Sequence, residues 1–428
     1  MTLELQPSLF EFETPSETKI DQRSGTFVDN MKLPIHRWFR YSAGFSAQWV
    51  QAEVQRHGRP QVFDPFSGSG TTLIAAETIG VPAMGQESHP FVARVARAKL
   101  AWRSDPEALQ RRADLIISQA RETKSDRDFP KLLDDCYDQQ SLEALENLRL
   151  ALLDQQDESD AWQLCWLAYV GIIRATSHAG TAQWQYVLPN KRKSAPKEPY
   201  SAFALKIEQI REDMAIMAVH RGTPAATLFQ EDARQPSGVP EDWADLIITS
   251  PPYANNYDYA DATRLEMTML GELEGWGELQ DKVRPHLIRS CTQHVSAQVP
   301  DTYDLIRSQI LQPISEELET VVRALDAERF NHGGKKNYHT MIAHYFYDLA
   351  QVWHQLRRVS RDGAEVCFVI GDSAPYGVYV PVDRWLGELA ISAGFREFEF
   401  EKIRDRNTKW KNRKHQVPLH EGRLWVHG

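Results

Sequence analysis

The run VFDPFSGSGTTLIAAETIGVPAMGQE, residues 62–87, constrains the fold more tightly than any other stretch of this chain. Val62 and Phe63 read as a short buried strand, residues 66–70 as a glycine-rich turn, and Thr71 as the start of a helix that stops at Gly80. VPAMGQE then reads as a second strand ending on Glu87. Gly68 and Gly70 let the backbone turn sharply and come close to a ligand. Asp64 can accept hydrogen bonds from a cationic or amino group. Glu87, twenty-three positions later, is placed to hold a pair of ribose hydroxyls. The pattern reads as a nucleotide-type pocket or, more blandly, as a tight turn. A dinucleotide fingerprint would require a third glycine where Leu73 stands, which weakens a nicotinamide reading.

Strands continue to alternate with helices downstream. LFQEDAR (228–234) and the buried strand 246–249 are followed by a helix carrying Met341, Tyr345, Leu349, Val352 and Leu356. That helix leads through Arg361-Asp362-Gly363 into AEVCFVIGDS, and a helix over 385–393 and a charged segment, 401–415, precede a last strand, GRLWVHG. The alternation predicts an α/β fold with a mainly parallel central sheet and ligands beyond the carboxyl ends of its strands. Residues 105–222 read as a helical insertion. Asp105-Pro106-Glu107 supplies an N-cap with proline at the first helical position, and Ser141 caps a helix striped by Leu142, Leu145, Leu148 and Leu152. The apolar run 164–173 reads as a buried helix and PNKRKSAPKEP (189–199) as an exposed loop. The expected organisation is a loose arm over 1–25, a first α/β part over 26–104, the insertion, and a second α/β part over 223–428 with more helices near 262–337.

Composition removes several classes. The longest unbroken apolar run has ten residues, too short to span a bilayer, and the acidic N-terminus has no apolar core of a secretory signal. Four scattered cysteines without a CxxC pair argue against a zinc knuckle or a disulfide framework and fit a reducing, cytoplasmic setting. A formal charge of −10 means that any nucleic-acid contact must be local. The candidates are Lys191, Arg192 and Lys193, then Lys409, Lys411 and Arg413 around Trp410, then HGGKK at 332–336. Such runs are either solvated faces or phosphate contacts. His89, His178 and His339 show no metal-ligand spacing, and no metal is expected.

TSPPY (249–253) closes the strand 246–249. Two successive prolines cannot continue a ladder, so the chain leaves the sheet rigidly. Ser250 Oγ and the Pro251 carbonyl can then face one small target, while Tyr253 offers a flat face for stacking. An exocyclic amino group on a base is a poor nucleophile because its lone pair is delocalised into the ring. Two acceptors on its N–H bonds pull it toward tetrahedral geometry and free that lone pair. The plainer reading is a proline-bracketed turn with a core tyrosine. Asn255, Tyr257 and Asp258 could shape the pocket or be ordinary loop residues.

DPFSGSGTT and TSPPY together resemble the S-adenosylmethionine-dependent DNA amino-methyltransferases, which make N4-methylcytosine or N6-methyladenine. The resemblance covers 30–100 and 225–428, with HRWFRYSAGFS matching the family's N-terminal cofactor motif, and VIGDS (369–373) and PLHEGRLWV matching its late strands. It implies a Rossmann-like methyltransferase fold and S-adenosylmethionine held by Asp64, Phe66, Ser67, Gly68, Gly70, Thr71, Glu87, Asp232 and Ala233. It implies catalysis by Ser250, Pro251, Pro252 and Tyr253 on a base extruded from double-stranded DNA, by direct transfer. No Pro-Cys pair exists to support a covalent route to 5-methylcytosine. Serine rather than aspartate before PPY favours cytosine N4. The resemblance further implies a restriction-modification or phage-defence setting with a possible cognate restriction enzyme, and leaves 105–222 as a possible recognition region. The alternatives are an N6-adenine enzyme, an RNA guanosine amino-methyltransferase and a catalytically silent DNA-binding protein on the same fold.

Overall fold

The structure is a computed structural model that describes residues 26–42, 44–182, 186–193, 195–255, 257–295, 301–333, 336–406 and 417–428. The arm expected over 1–25 lies outside them. One sheet contains β1 (Val62–Asp64), β2 (Ala83–Gln86), β5 (Thr227–Phe229), β6 (Ala244–Thr249), β7 (Ser360–Gly371), β8 (Glu397–Arg406) and β9 (Leu419–His427). Its seven strands run in the order β5-β2-β1-β6-β7-β9-β8. The first five pair in parallel, and β9 is antiparallel to both β7 and β8. This is the α/β, mainly parallel, Rossmann-like architecture expected of a methyltransferase. The order reverses between β1 and β6, which opens a crevice at their carboxyl ends.

Strand periodicity sorts the core. Val62, Leu246, Ile248, Cys367 and Val369 face one apolar cluster, while Phe63, Ile247, Val366, Phe368 and Ile370 face another. On the first face lie α1 (Ala47–Arg56) and α2 (Thr71–Ile79). The helix that the sequence places after the glycine turn is α2. The second face is covered by α8 (Ser315–Asn331), α9 (Tyr338–Val359) and α10 (Val382–Ser392), with Trp353 stacked on Phe368 at 4.4 Å.

A third cluster joins α3 (Pro90–Leu100) to α4 (Pro106–Glu122), α5 (Gln139–Asp154), α6 (Asp160–Thr176) and α7 (Pro199–Met217) through Trp38, Phe91, Trp102 and Trp166. The buried run 164–173 is the middle of α6. Asp105 caps α4 as its sequence predicts, accepting from the Glu107 and Ala108 N–H groups. The cap of α5 is Asp138 rather than Ser141, whose own N–H donates to Asp138. An acid three residues ahead of the leucine stripe satisfies the first turn and draws Ser141 into the helix. Asp213 on α7, fully buried, accepts from Ile35 N–H at 3.2 Å, Trp38 Nε1 at 2.8 Å and Arg37 Nε at 3.0 Å. Removing that carboxylate strands three donors, each costing about 1–3 kcal/mol. Asp213 thereby fixes the segment that carries Tyr41.

Three segments differ from their sequence reading. Residues 189–192 belong to β4 (Val187–Arg192), which pairs with β3 (Ala179–Thr181) in a small antiparallel hairpin within the helical segment. Residues 401–406 complete the edge strand β8, and Arg361-Asp362-Gly363 lie inside β7. In β4 and β8, lysine and arginine make a strand look like a loop, yet they are what an exposed edge carries to resist pairing with other chains; Arg361-Asp362-Gly363 lies where the β6–β7 register shifts. Among the described residues no helix is long and apolar enough to cross a membrane.

Candidate active site

Asp64 and Thr249 end the two strands that flank the crevice. Thr249 Oγ1 donates to Asp64 Oδ1 at 2.6 Å, and the Phe66 N–H donates to the same oxygen at 3.0 Å. Ser67 Oγ closes the turn on the Asp64 carbonyl at 2.9 Å. Asp64 Oδ2 is buried without a hydrogen-bond partner among the described residues. Burial lifts the Asp64 pKa to about 6, with the Thr249 bond opposing the rise. Glu87 lies just beyond β2. Its two oxygens accept from Gly68 N–H and His89 N–H, each at 2.8 Å, while burial still raises its pKa to about 7. Each carboxylate oxygen keeps a second lone pair for a ligand.

The glycines are required by geometry. Gly68 has φ +52° and Gly70 has φ +86°. A Cβ on Gly68 would sit 3.1 Å from the Tyr41 ring. Tyr41, Ser69, Thr71 and Lys99 line one small pocket beside the turn. Lys99 is buried and, among the described residues, donates only to the His36 carbonyl, at 3.3 Å, and burial together with Lys206 lowers its pKa to about 7. Beyond β5, the Asp232 carboxylate is taken up by Arg234, with Nε 2.9 Å from Oδ1, and Arg234 also reaches Asp348 at 3.2 Å. Ala233 beside it is buried. The Glu87 N–H donates to the Phe229 carbonyl at 3.0 Å and so ties the ends of β2 and β5 together.

Ser250 Oγ donates to the Val369 carbonyl at 3.1 Å, which commits its proton and leaves its lone pairs as acceptors. Pro251 is buried and Pro252 half-buried. The Tyr253 ring is half-buried, and the Arg406 guanidinium lies over it, 5.3 Å from the centroid. Burial, reinforced by Glu421, keeps the Tyr253 phenol well above its ordinary pKa and hence neutral. Arg406 is itself fixed by its Nη1 bond to the Asp372 carbonyl at 2.9 Å. Past Tyr253, Asn255 has φ +57° and donates its N–H to the Ser290 carbonyl at 2.8 Å. Tyr257 is buried against Tyr259, with ring centroids 4.4 Å apart. Asp258 turns into a buried network, and its N–H donates to Tyr186 Oη at 2.5 Å.

Asp64, Phe66, Ser67, Gly68, Gly70, Thr71 and Glu87 thus share one corner of the crevice, and Ser250–Tyr253 emerge from the strand beside it. Lys191 and Arg192 are exposed on β4. Lys193 is not: its Nζ donates to the Arg174 carbonyl at 2.7 Å. Lys409, Lys411 and Arg413 lie outside the described residues, as do Gly334 and Lys335 of HGGKK. On β8, Arg404 pairs with Glu421 at 2.8 Å and Lys402 with Asp405 at 2.7 Å. His89 meets Thr263 Oγ1 at 2.9 Å, His178 the Asp135 carbonyl at 3.2 Å, and His339 lies 3.6 Å from Asp326. Sequence reasoning passes over Tyr41, Lys99 and Thr249, and reads Arg406 only as one of the basic residues of the charged segment 401–415. Only Tyr41, inside the aromatic and basic stretch before the first strand, carries a visible signal.

No family model matches the chain. It is 25% identical over 432 residues to the Type II methyltransferase M.BsoBI of Geobacillus stearothermophilus, spanning 89% of this chain and 82% of that protein. It is also 25% identical over 403 residues to the Type II methyltransferases M.AvaI of Nostoc sp. and of Anabaena variabilis, spanning 86% of this chain and 81% of each of those. The similarity to Type II methyltransferases runs through most of this chain and most of each of theirs.

Proposed function

We propose that the chain is an S-adenosylmethionine-dependent DNA methyltransferase that modifies cytosine N4 in double-stranded DNA, within a restriction-modification system that pairs it with a cognate restriction enzyme. The observation that carries this reading is the SPPY loop leaving β6 at the switch point, one Thr249–Asp64 hydrogen bond away from the glycine turn. The corner fits the methyl donor. Two carboxyls pushed up by burial, one of them with an orphaned oxygen, are stabilised by a ligand that brings an ammonium and a ribose diol. Glu87 would hold the ribose, Asp64 and residues 66–71 the amino-acid end, and Asp232 with Ala233 the adenine side. When bound, S-adenosylmethionine supplies an electrophilic methyl group.

The remaining chemistry belongs to the chain. The target base leaves the helix and stacks on Tyr253. Ser250 Oγ, its proton already given to Val369, accepts from the exocyclic amino group together with the Pro251 carbonyl. Both bonds strengthen as the nitrogen becomes tetrahedral, so they favour the transition state over the ground state. The test is to methylate DNA, digest it to nucleosides and identify the product by mass spectrometry. N4-methylcytosine is expected. N6-methyladenine would keep the family and overturn the base, and 5-methylcytosine or methylation of RNA alone would overturn the mechanism.

Two further results are expected. Glu87→Gln weakens S-adenosylmethionine binding about 10- to 150-fold, the worth of charge-assisted hydrogen bonds of about 1.5–3 kcal/mol. The parent itself binds less tightly as pH falls through about 7, where Glu87 becomes protonated, and the variant loses that component and keeps only the one that Asp64 contributes near 6. Calorimetry between pH 6 and 8 reads both, and identical affinities would remove Glu87 from the site. Neutralising Lys191 and Arg192 weakens DNA binding regardless of sequence and flattens the log–log salt dependence by about 0.9 for each phosphate no longer engaged. An unchanged slope returns this run to a solvated face.

A further inference from the structure

Behind the catalytic loop, three donors from two chain segments converge. One ligand atom each from Asp258, Cys291 and His294 lies within 4.8 Å of the other two, and all three residues are buried. We propose that Asp258, Cys291 and His294 form a structural site for a divalent transition metal, zinc by the chemistry of its donors. A thiolate, an imidazole and a carboxylate are all ligands that zinc takes, and a water in the fourth position would close the tetrahedron of a structural site.

The surroundings are those of a ligand set rather than of three chance neighbours. His294 Nδ1 is occupied by the Ile288 carbonyl at 2.9 Å, which fixes the ring and leaves Nε2 facing the other two donors. That is the outer contact by which a metal-bound histidine is oriented. Asp258 Oδ2 is held by Arg284 at 2.6 Å, while Oδ1 accepts from the Ala260 N–H at 3.0 Å and keeps its second lone pair toward His294 Nε2, also 3.0 Å away, to serve as a single-oxygen ligand. Arg284 itself is buried, so the carboxylate cannot swing away to solvent. The rival arrangement is a protonated His294 clasped by Asp258 and Cys291. Against the pull of burial, those two partners raise its pKa to about 10. The rival uses the same three residues and takes no metal, so retention of an ion separates the two. Sequence spacing conceals the site because Asp258 stands thirty-three positions before Cys291. Its place is informative: the Ser290 carbonyl accepts the Asn255 N–H at 2.8 Å, so a metal here would clasp the 288–294 loop to the chain just past Tyr253.

The experiment uses the full chain and does not depend on methylation. The protein is expressed with added zinc, dialysed, and measured by plasma mass spectrometry, where about one zinc per chain is expected. Replacement with cobalt should give a thiolate-to-cobalt charge-transfer band that disappears in Cys291→Ser. A strong chelator should lower the melting temperature of the parent and not that of Cys291→Ser. Parent protein that retains no zinc and shows no cobalt band overturns the proposal. So does a band that survives in Cys291→Ser. The parent readings decide the matter even where Cys291→Ser fails to fold.

Discussion

Tyr253→Ala is expected to lower single-turnover methylation about 5- to 150-fold while leaving S-adenosylmethionine affinity within about twofold of the parent. The range is the stacking energy of one base on an aromatic ring, about 1–3 kcal/mol, converted to rate. Tyr253→Phe keeps the ring and should fall far less. Arg406 makes the experiment sharper. Its guanidinium lies 5.3 Å from the centre of the same ring. An arriving base must displace that cation or share the ring with it, and the contact at stake is worth about 0.5–2 kcal/mol. Arg406→Ala should therefore cost less than Tyr253→Ala. Single-turnover rates at saturating DNA read both variants, and a Tyr253→Ala rate equal to the parent's would remove stacking from the mechanism.

Lys99→Met is expected to stabilise the fold by about 4 kcal/mol at neutral pH. The side chain is 1% exposed, and burial brings its pKa from 10.5 down to about 7. A gap of about three and a half units corresponds to about 5 kcal/mol in full, and to about 4 kcal/mol at pH 7, where the folded group is half titrated. Because the folded pKa is depressed, the unfolded chain binds this proton more tightly. The cost is full below about pH 7 and fades as pH rises toward the unfolded value. Urea unfolding of the parent should therefore show stability climbing between pH 7 and 10 from this group, and Lys99→Met should lack that component. Equal stabilities at pH 7 would mean the amine is not desolvated. Methionine fills a similar volume, so a cavity does not confuse the comparison. An ammonium kept at that cost, in a pocket with Ser69 and Thr71 beside the glycine turn, is the kind of strain that functional sites retain.

What the sequence reveals here is what is local in the chain. Asp64, the glycine turn and Glu87 sit in one continuous unit, and the structure gives that unit the strand, turn, helix and strand that the sequence predicts. TSPPY is legible for the same reason, since two prolines dictate the exit from β6 whatever surrounds them. Lys99 and Arg406 are hidden because their positions depend on packing between distant elements: Lys99 reaches the carbonyl of His36, and Arg406 reaches Tyr253 across the sheet. The β4 and β8 strands read as a loop and a charged segment because edge strands lack a buried face to impose alternation. Asp138 is masked as a cap because Ser141 competes for the same role three residues on.

The β3–β4 hairpin joins two tasks. Tyr186, immediately before β4, holds the backbone of Asp258 by its hydroxyl, five residues past Tyr253, while Lys191 and Arg192 ride the same strand into solvent. If those cations grip phosphates, the force of the grip arrives at the catalytic loop through one hydrogen bond. Linkage is then reciprocal: whatever factor backbone contact contributes to holding an extruded base, the held base returns to backbone contact. Searching and modifying become a single cooperative event, with the enzyme loose on DNA that offers no base and firm on DNA that does. Tyr186→Phe should separate the two, leaving affinity for non-target duplex unchanged and narrowing the preference for target. A preference that stays as large as the parent's would show that the hairpin and the loop act independently.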